Sequence, residues 1–161
     1  MIAPTTLRQT AVRFGSILMP AKAEDDFQLA SRYLGADSAM RAIFERAEHE
    51  RYSIHLAINA RDDDSFDPRT RTVNWDPHSA LGTTEGGRQS PALGLGHELD
   101  HAIASARLRE RGAASFDPNY DNTEERRVIT GSETHAATTL GEGIRHDHSG
   151  VSYHVASPIQ R

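Results

Sequence analysis

Two histidines and a glutamate near the middle of the chain have the spacing of a metal-dependent hydrolase. His97, Glu98 and His101 lie in the segment His97-Glu98-Leu99-Asp100-His101, an HExxH pattern. On an α-helix, residues i and i+4 lie one turn apart on one face, so two imidazoles can supply two corners of a tetrahedral zinc site. Glu98 is then placed to take a proton from a metal-bound water that attacks a peptide carbonyl. The segment predicts zinc-dependent hydrolysis with Glu98 as general base.

A third protein ligand has to come from another part of the chain. Cysteine is absent, which excludes a thiolate ligand, so the expected donor is a carboxylate. Glu124 and Glu125 fall at the start of a short predicted helix that Asn122 or Thr123 can cap, and Glu133 follows a few residues later. The commoner role of any single such carboxylate is that of a solvated residue at a helix start. The residues by themselves leave the choice open.

Asp100 puts a charge inside the histidine segment, although helical geometry points it about 100° away from the metal face. Two roles are open for it. It either orients a ligand histidine through the second ring nitrogen, or it is solvated.

The helix that carries the histidines has clear boundaries in the sequence. Ser90 is a suitable N-cap, Pro91 suits the first turn, and Gly112 suits a left-handed stop, which predicts a helix over about 91–111. The opposite face is apolar, with Leu95, Leu99, Ala102, Ile103 and Ala106. One face is therefore expected to pack in the core and the other to carry chemistry.

The segments before this helix are expected to support it. Apolar residues at helical spacing predict two helices, and alternation of period two predicts two antiparallel strands, followed by a loop rich in Gly, Thr and Ser. The helices cover 25–34 and 38–51, the second capped by Ser38; the strands cover 52–59 and 70–75, and the loop covers 78–89.

Length and composition indicate one domain that favours neither nucleic acid nor membranes. The 161 residues suffice for a single core, and we expect a leader or loosely ordered terminus over 1–24 and the domain over 25–161. The formal charge of −5 offers no general attraction to polyanions. No apolar run approaches the roughly 20 residues of a membrane span, and the segment 14–19 is too short for a Sec signal core.

Three motifs resemble a known family. They are Gly96 to Ala102, Glu124 to Gly131, and Gly131 to Arg145, within roughly 91–153. Together they resemble the NleD-type effector metallopeptidases of bacterial pathogens and, more distantly, the clostridial neurotoxin light chains. In the light chains the second Glu of a Glu-Glu-Leu-Arg segment supplies the third ligand. The resemblance therefore implies His97, His101 and Glu125 as zinc ligands, with Glu124 behind them.

The same resemblance implies an arginine and a tyrosine that stabilise the oxyanion of the reaction. Arg145 and Tyr153 match these positions, but the segment between them is longer than in the light chains. His148 and Tyr120 are therefore alternatives for the second donor.

The expected fold is an α+β, zincin-like (gluzincin-type) domain with a small antiparallel sheet and an active helix. From the order of segments in the chain, we expect extended substrate to bind along an edge strand at 70–75.

By resemblance, the chain is expected to be a secreted or injected bacterial effector or toxin. It would cut a protein of the target cell, and host signalling kinases are among the family's substrates. Two alternatives need no catalysis. One is a zinc-binding or protein-interaction module in which Glu98 is dispensable, and the other is a core helix without metal.

Overall fold

Helices and strands are interspersed along residues 10–161, the part of the chain that the computed structural model describes. The first half contains β1 (Ala11–Phe14), β2 (Ile17–Pro20), a 3-10 turn (Ala21–Ala23), α1 (Glu24–Leu34), α2 (Ser38–Glu48), β3 (Ile54–Ile58), β4 (Ser65–Asp67), β5 (Thr72–Trp75), β6 (Ser79–Gly82) and β7 (Arg88–Gln89). The second half contains α3 (Pro91–Ile103), α4 (Ala106–Ala113), β8 (Phe116–Asp117), β9 (Asp121–Asn122), α5 (Thr123–Val128), a π-helical turn (Ile129–Glu133), α6 (Thr134–Leu140) and β10 (Val151–His154). The α+β class is therefore confirmed.

The main sheet is mixed rather than antiparallel, which corrects the prediction. Its strand order is β1-β2-β3-β5-β4. β3 and β5, predicted as an antiparallel pair, run parallel, with His55 opposite Thr72 and Ile58 opposite Trp75. β4 instead forms the hairpin with β5, with Ser65 opposite Asn74. No strand was predicted between 59 and 70, and the short strand β4 in this acidic segment takes the antiparallel position.

The predicted edge strand at 70–75 is also wrong. β5 lies inside the sheet, between β3 and β4, so both of its edges are paired. The edge on this side of the sheet is β4, which packs against α3. On this side of the sheet a peptide can therefore be added beyond β4 and not beside β5.

Residues 11–20 belong to the fold, so the leader predicted over 1–24 is wrong for the part that the structure describes. β1 and β2 form an antiparallel pair, and β2 continues the sheet by running parallel to β3. Ile17 and Met19 are buried in the core. Residues 1–9 of the predicted leader lie outside the described residues.

The helix α3 packs between the sheet and the two early helices, α1 and α2. The indole Nε1 of Trp75 donates a buried hydrogen bond of 2.8 Å to the carbonyl of Pro91, which ties β5 to the start of α3. On the other side α2 approaches closely, because a Cβ at Gly96 would lie 2.6 Å from the Sδ of Met40. α2 itself is capped by Asp37 and not by Ser38, since Asp37 accepts a hydrogen bond from the amide of Met40.

The predicted helix over 91–111 is two helices. Ser90 caps α3 as expected, but Ala104 and Ser105 are extended, with ψ of 143° at each. The hydroxyl of Ser105 accepts from the amide of Leu108 and starts α4. Gly112 lies inside α4 and not at a left-handed stop, and Ala106, predicted on the apolar face, is exposed. The cap at Ser105 therefore interrupts a helix that the spacing of apolar residues alone predicts to continue.

The loop predicted at 78–89 contains two strands. β6 pairs with β7 and, across the chain, with β10, in the order β10-β6-β7. The partner that completes these hydrogen bonds lies about 70 residues later, so local composition did not reveal the strands. None of the helices in residues 10–161 has the length and apolar character that crossing a bilayer requires.

Candidate metal centre

Three of the predicted ligands meet at one point. The Nε2 atoms of His97 and His101 are 3.0 Å apart, and the carboxylate of Glu125 lies 3.0 Å from the first and 3.3 Å from the second. All three donor atoms lie within 4.8 Å of one another. The two histidines are buried and Glu125 is partly exposed. This group could hold a metal ion.

The positions of the three residues on α3 and α5 explain why their donor atoms point at each other. His97 and His101 lie one turn apart on α3, so their rings share a face. Asn122 caps α5, and its side-chain oxygen accepts from the amides of Glu124 and Glu125, each at 3.0 Å. This cap sets the first turn of α5, and α5 packs against α3.

Glu133 holds the far side of His97 and is not part of the donor group. Its Oε2 lies 2.7 Å from the Nδ1 of His97, and it is 1% exposed. The carboxylate also accepts two hydrogen bonds from Arg145, at 2.8 and 2.5 Å, and one from Gln89 at 2.8 Å. Of the three carboxylates that the sequence left open as the third ligand, Glu125 therefore faces the donor atoms, whereas Glu133 orients the ring of His97.

Glu124 orients the ring of His101 in the way that Glu133 orients the ring of His97. Its Oε1 lies 2.9 Å from the Nδ1 of His101 and accepts from Arg127 at 2.8 Å. Arg127 also donates to Asp100 at 2.8 Å, and the hydroxyl of Ser132 donates to the same carboxylate. Asp100 is buried, so neither role proposed for it is correct. It is paired with Arg127, and Glu124 is the group that contacts the histidine.

The carboxylates dominate the electrostatics of the group. Burial opposes protonation of His97, but hydrogen bonds to Glu125 and Glu133 outweigh it and raise its pKa to about 10. Burial would also raise the pKa of Glu125, yet its contacts with His101 and His97 hold it well below the ordinary value. Burial opposes protonation of His101 as well, but hydrogen bonds to Glu124 and Glu125 raise its pKa. In the absence of a cation the carboxylates therefore favour protonated imidazoles, and metal binding competes with those protons.

Glu98 lies beside the donor group in a buried position. Its Oε1 is 3.9 Å from the Nε2 of His97, and burial raises its pKa. Asp64, which was not predicted as a site residue, lines the same two cavities as Glu98. Burial raises the pKa of Asp64 to about 8, and nearby Glu98 and Asp76 add to the rise although the Asp76 amide opposes it. Asp64 stands in the acidic segment between the two predicted strands, where no pattern marked it as a site residue.

Arg145 and His148 reach the site, although in different ways. Arg145 is engaged by Glu133, with one guanidinium nitrogen also 3.3 Å from the Nδ1 of His97. The Nε2 of His148 lies 3.3 Å from Glu125, and its Nδ1 lies 2.5 Å from Asp121. The amide of His148 donates to the carbonyl of Asn119, which fixes the backbone. His148 thus has an oriented ring beside the donor group.

The two tyrosines proposed for the second donor do not join this group. Tyr153 alternates on β10 with Ser152, which lines the cavity near His97, and its ring packs under Arg88 at 5.8 Å. Its buried hydroxyl has no hydrogen-bond partner within residues 10–161. Tyr120 lies in the turn between β8 and β9, where its amide donates to Asp117.

Two cavities open on either side of Glu98 and His148. The polar cavity has a volume of about 170 Å³ and is lined by Asp62, Asp64, Gln89, Glu98, Arg145 and His148, among others. The Phe66 cavity has a volume of about 390 Å³ and includes Asp64, Phe66, Pro68, Ala113, Glu125 and His148 in its lining. Asp64, Glu98 and His148 line both. The donor group therefore lies in a cleft that continues in two directions.

Comparison of the chain with protein-family models, with curated proteins and with solved structures found no match. The resemblance drawn from the three sequence motifs therefore stays an expectation.

Proposed function

We propose that this chain is a zinc-dependent endopeptidase with a zincin-like active site. One observation carries the proposal. The Nε2 atoms of His97 and His101 and the carboxylate of Glu125 converge in a cleft, with Glu98 buried beside them.

The donor chemistry favours zinc. Two imidazoles and one carboxylate are a common catalytic zinc set, and a fourth position is left for water or substrate. Glu133 and Glu124 accept from the Nδ1 atoms of His97 and His101, which leaves the Nε2 lone pairs directed at the common point. Zinc bound there supplies a polarised carbonyl and a water whose pKa falls toward about 7.

Glu98 is assigned the proton transfers. It takes the proton of the attacking water and then passes that proton to the leaving amine. The position of Glu98 supports this role, because its carboxylate is buried beside the donor group with Oε1 3.9 Å from the Nε2 of His97.

His148 is assigned as the donor to the developing oxyanion. Its ring faces Glu125 from the cleft side and is held by Asp121. Arg145 is engaged by Glu133, so its main role in this proposal is to keep Glu133 ionised behind His97. Tyr153 receives no role, because its ring packs against Arg88.

Substrate is expected to bind as an extended peptide beside β4. This strand pairs with β5 on one side only. Asp64 lines both cavities, while Ser65 and Phe66 line the Phe66 cavity, so a peptide along β4 would run past the donor group.

For the biological role we keep the expectation from the resemblance, an effector that is secreted or injected and that cuts a target-cell protein such as a host signalling kinase. Its support is the motif resemblance alone. A proteomic search for new fragments in cells exposed to the wild-type chain, and not in cells exposed to a Glu98→Gln variant, tests it.

Metal analysis combined with peptide hydrolysis tests the proposed activity. We expect about one zinc per chain in the wild type and in Glu98→Gln, and a loss of hydrolysis of at least about 100-fold in the variant. Glu45→Gln, which changes an exposed carboxylate on α2, is the matched control and should behave as the wild type. Zinc binding without hydrolysis that depends on Glu98 would favour the non-catalytic module instead.

A further inference from the structure

The Phe66 cavity is the larger of the two openings at the donor group, and its outer part combines apolar surface with Arg109 and Glu110. Phe66 and Pro68 form the wall on the side of β4, and Ala113 of α4 forms the opposite wall. The inner end is closed by Glu98, His101 and Glu125, among other residues. A side chain that enters this cavity therefore belongs to a residue next to the bond being cut.

Phe66 is held in place before any substrate arrives. The guanidinium of Arg109 lies 5.3 Å from the centroid of the Phe66 ring. Arg109 is itself fixed, since it donates to the carbonyls of His101 and Ala104 at the end of α3, at 3.3 and 3.1 Å. The wall is therefore preformed, and the charge of Arg109 is already engaged by helix-end carbonyls.

The charged groups at the inner end are also engaged. Glu124 is bound by His101 and Arg127, and Glu125 is bound by both donor histidines. Asn122 uses its side-chain oxygen as the cap of α5. The surface that remains free to contact a side chain is that of Phe66, Pro68 and Ala113, with the exposed Glu110 of α4 beside them.

We infer that the Phe66 cavity is a specificity pocket for a bulky apolar side chain, aliphatic or aromatic, of the residue beside the scissile bond. This inference rests on the proposed peptidase function and narrows its substrate class. The polar cavity differs in character, because most of its lining, including Asp62, Gln89 and Arg145, is polar or charged. The two cavities would therefore set the position of the peptide in the cleft.

Cleavage of a random peptide library by the zinc-loaded wild-type chain, read by mass spectrometry, tests the inference. We expect Leu, Met, Phe or Tyr to be enriched next to the cut, on one side of it only. In a peptide pair that differs by Leu or Ala at that position, kcat/KM should favour Leu by roughly 10- to 100-fold.

Two variants locate the preference in this cavity. Ala113→Phe fills the pocket, so the ratio of kcat/KM for the Leu peptide to that for the Ala peptide should fall by about tenfold or more. Ala114→Phe adds the same ring at an exposed neighbour outside the cavity lining and should retain the wild-type preference. Circular dichroism and zinc content should be the same in both variants, which excludes a folding defect.

The outcomes separate the two proposals. Cleavage by the wild type without an apolar preference, a preference for Lys or Arg, or equal behaviour of the two variants overturns the pocket assignment and leaves the peptidase standing. Absence of any cleavage by the zinc-loaded wild type overturns both.

Discussion

His97 is held from behind by Glu133. The Nδ1 of the ring lies 2.7 Å from the Oε2 of Glu133, while the Nε2 lies 3.0 Å from Glu125 on the other side. A neutral imidazole that donates its Nδ1 proton to Glu133 keeps its Nε2 lone pair for a metal. Two carboxylates therefore serve the same ring in different ways, and their removal should have different effects.

Glu125→Ala should weaken zinc binding more than Glu133→Gln. The first change deletes a donor atom of the metal site. The second keeps the shape of a residue that only orients a ligand, for which losses of about 10- to 100-fold in metal affinity are typical. Competition with a chromophoric zinc chelator measures both affinities, and thermal unfolding checks that each variant is folded. The reverse ranking would move the third ligand to Glu133.

Arg127→Met should destabilise the fold by about 3 kcal/mol, because it leaves the buried carboxylates of Asp100 and Glu124 without their cation. Arg126→Met is the matched control. The Arg126 side chain is 61% exposed and pairs with Asp117, so its loss should cost less than about 1 kcal/mol. Urea unfolding of the two variants beside the wild type gives both values. Equal losses would show that Arg127 does not hold the two carboxylates.

The stability of the metal-free chain should fall as the pH rises, and Asp64 should cause part of the fall. Its pKa is raised from 3.8 to about 8 by burial and nearby carboxylates. Between these values the folded chain keeps a proton that the unfolded chain has released. The stabilisation from this Asp64 proton is therefore present at low pH. It decreases by up to about 1.4 kcal/mol per pH unit as the pH rises to about 8.

Asp64→Asn removes this titration, so the variant should gain stability relative to the wild type between pH 5 and pH 8. Urea unfolding in the presence of a chelator measures the difference at each pH. Asp63→Asn changes the adjacent, exposed carboxylate and should follow the wild type across the same range. A constant difference between Asp64→Asn and the wild type would contradict the role given to Asp64.

Gly112→Ala should destabilise the chain by about 1–3 kcal/mol. A Cβ at this position would lie 2.7 Å from the Cβ of Glu124 and 2.9 Å from its amide nitrogen, so α4 would be pushed away from α5. On helix propensity alone the same change would stabilise the chain by up to about 1 kcal/mol. The sign of the change in unfolding free energy therefore shows whether the contact with Glu124 or helix propensity dominates. Thermal or urea unfolding measures it. Because Glu124 contacts His101, zinc affinity should fall as well.

The part of the site that one helix carries could be predicted from the sequence. The spacing of His97 and His101 places both rings on one face of any α-helix, and Ser90 followed by Pro91 marks where that helix begins. Both signals involve residues within about two helical turns, so they can be recognised without any partner segment. The cap at Asn122 was recognisable for the same reason.

The sequence by itself thus determined the two imidazoles, the nearby Glu98 and the start of the helix that bears them. Only the tertiary structure decided that β3 and β5 run parallel, because alternation of period two is the same in either direction. It also decided that β4 is the edge, that Glu133 and Arg127 act behind the histidines, and that His148 reaches Glu125. These residues come from segments far apart in the chain, and the atoms that they contact follow from how the helices and strands pack, which no local pattern records.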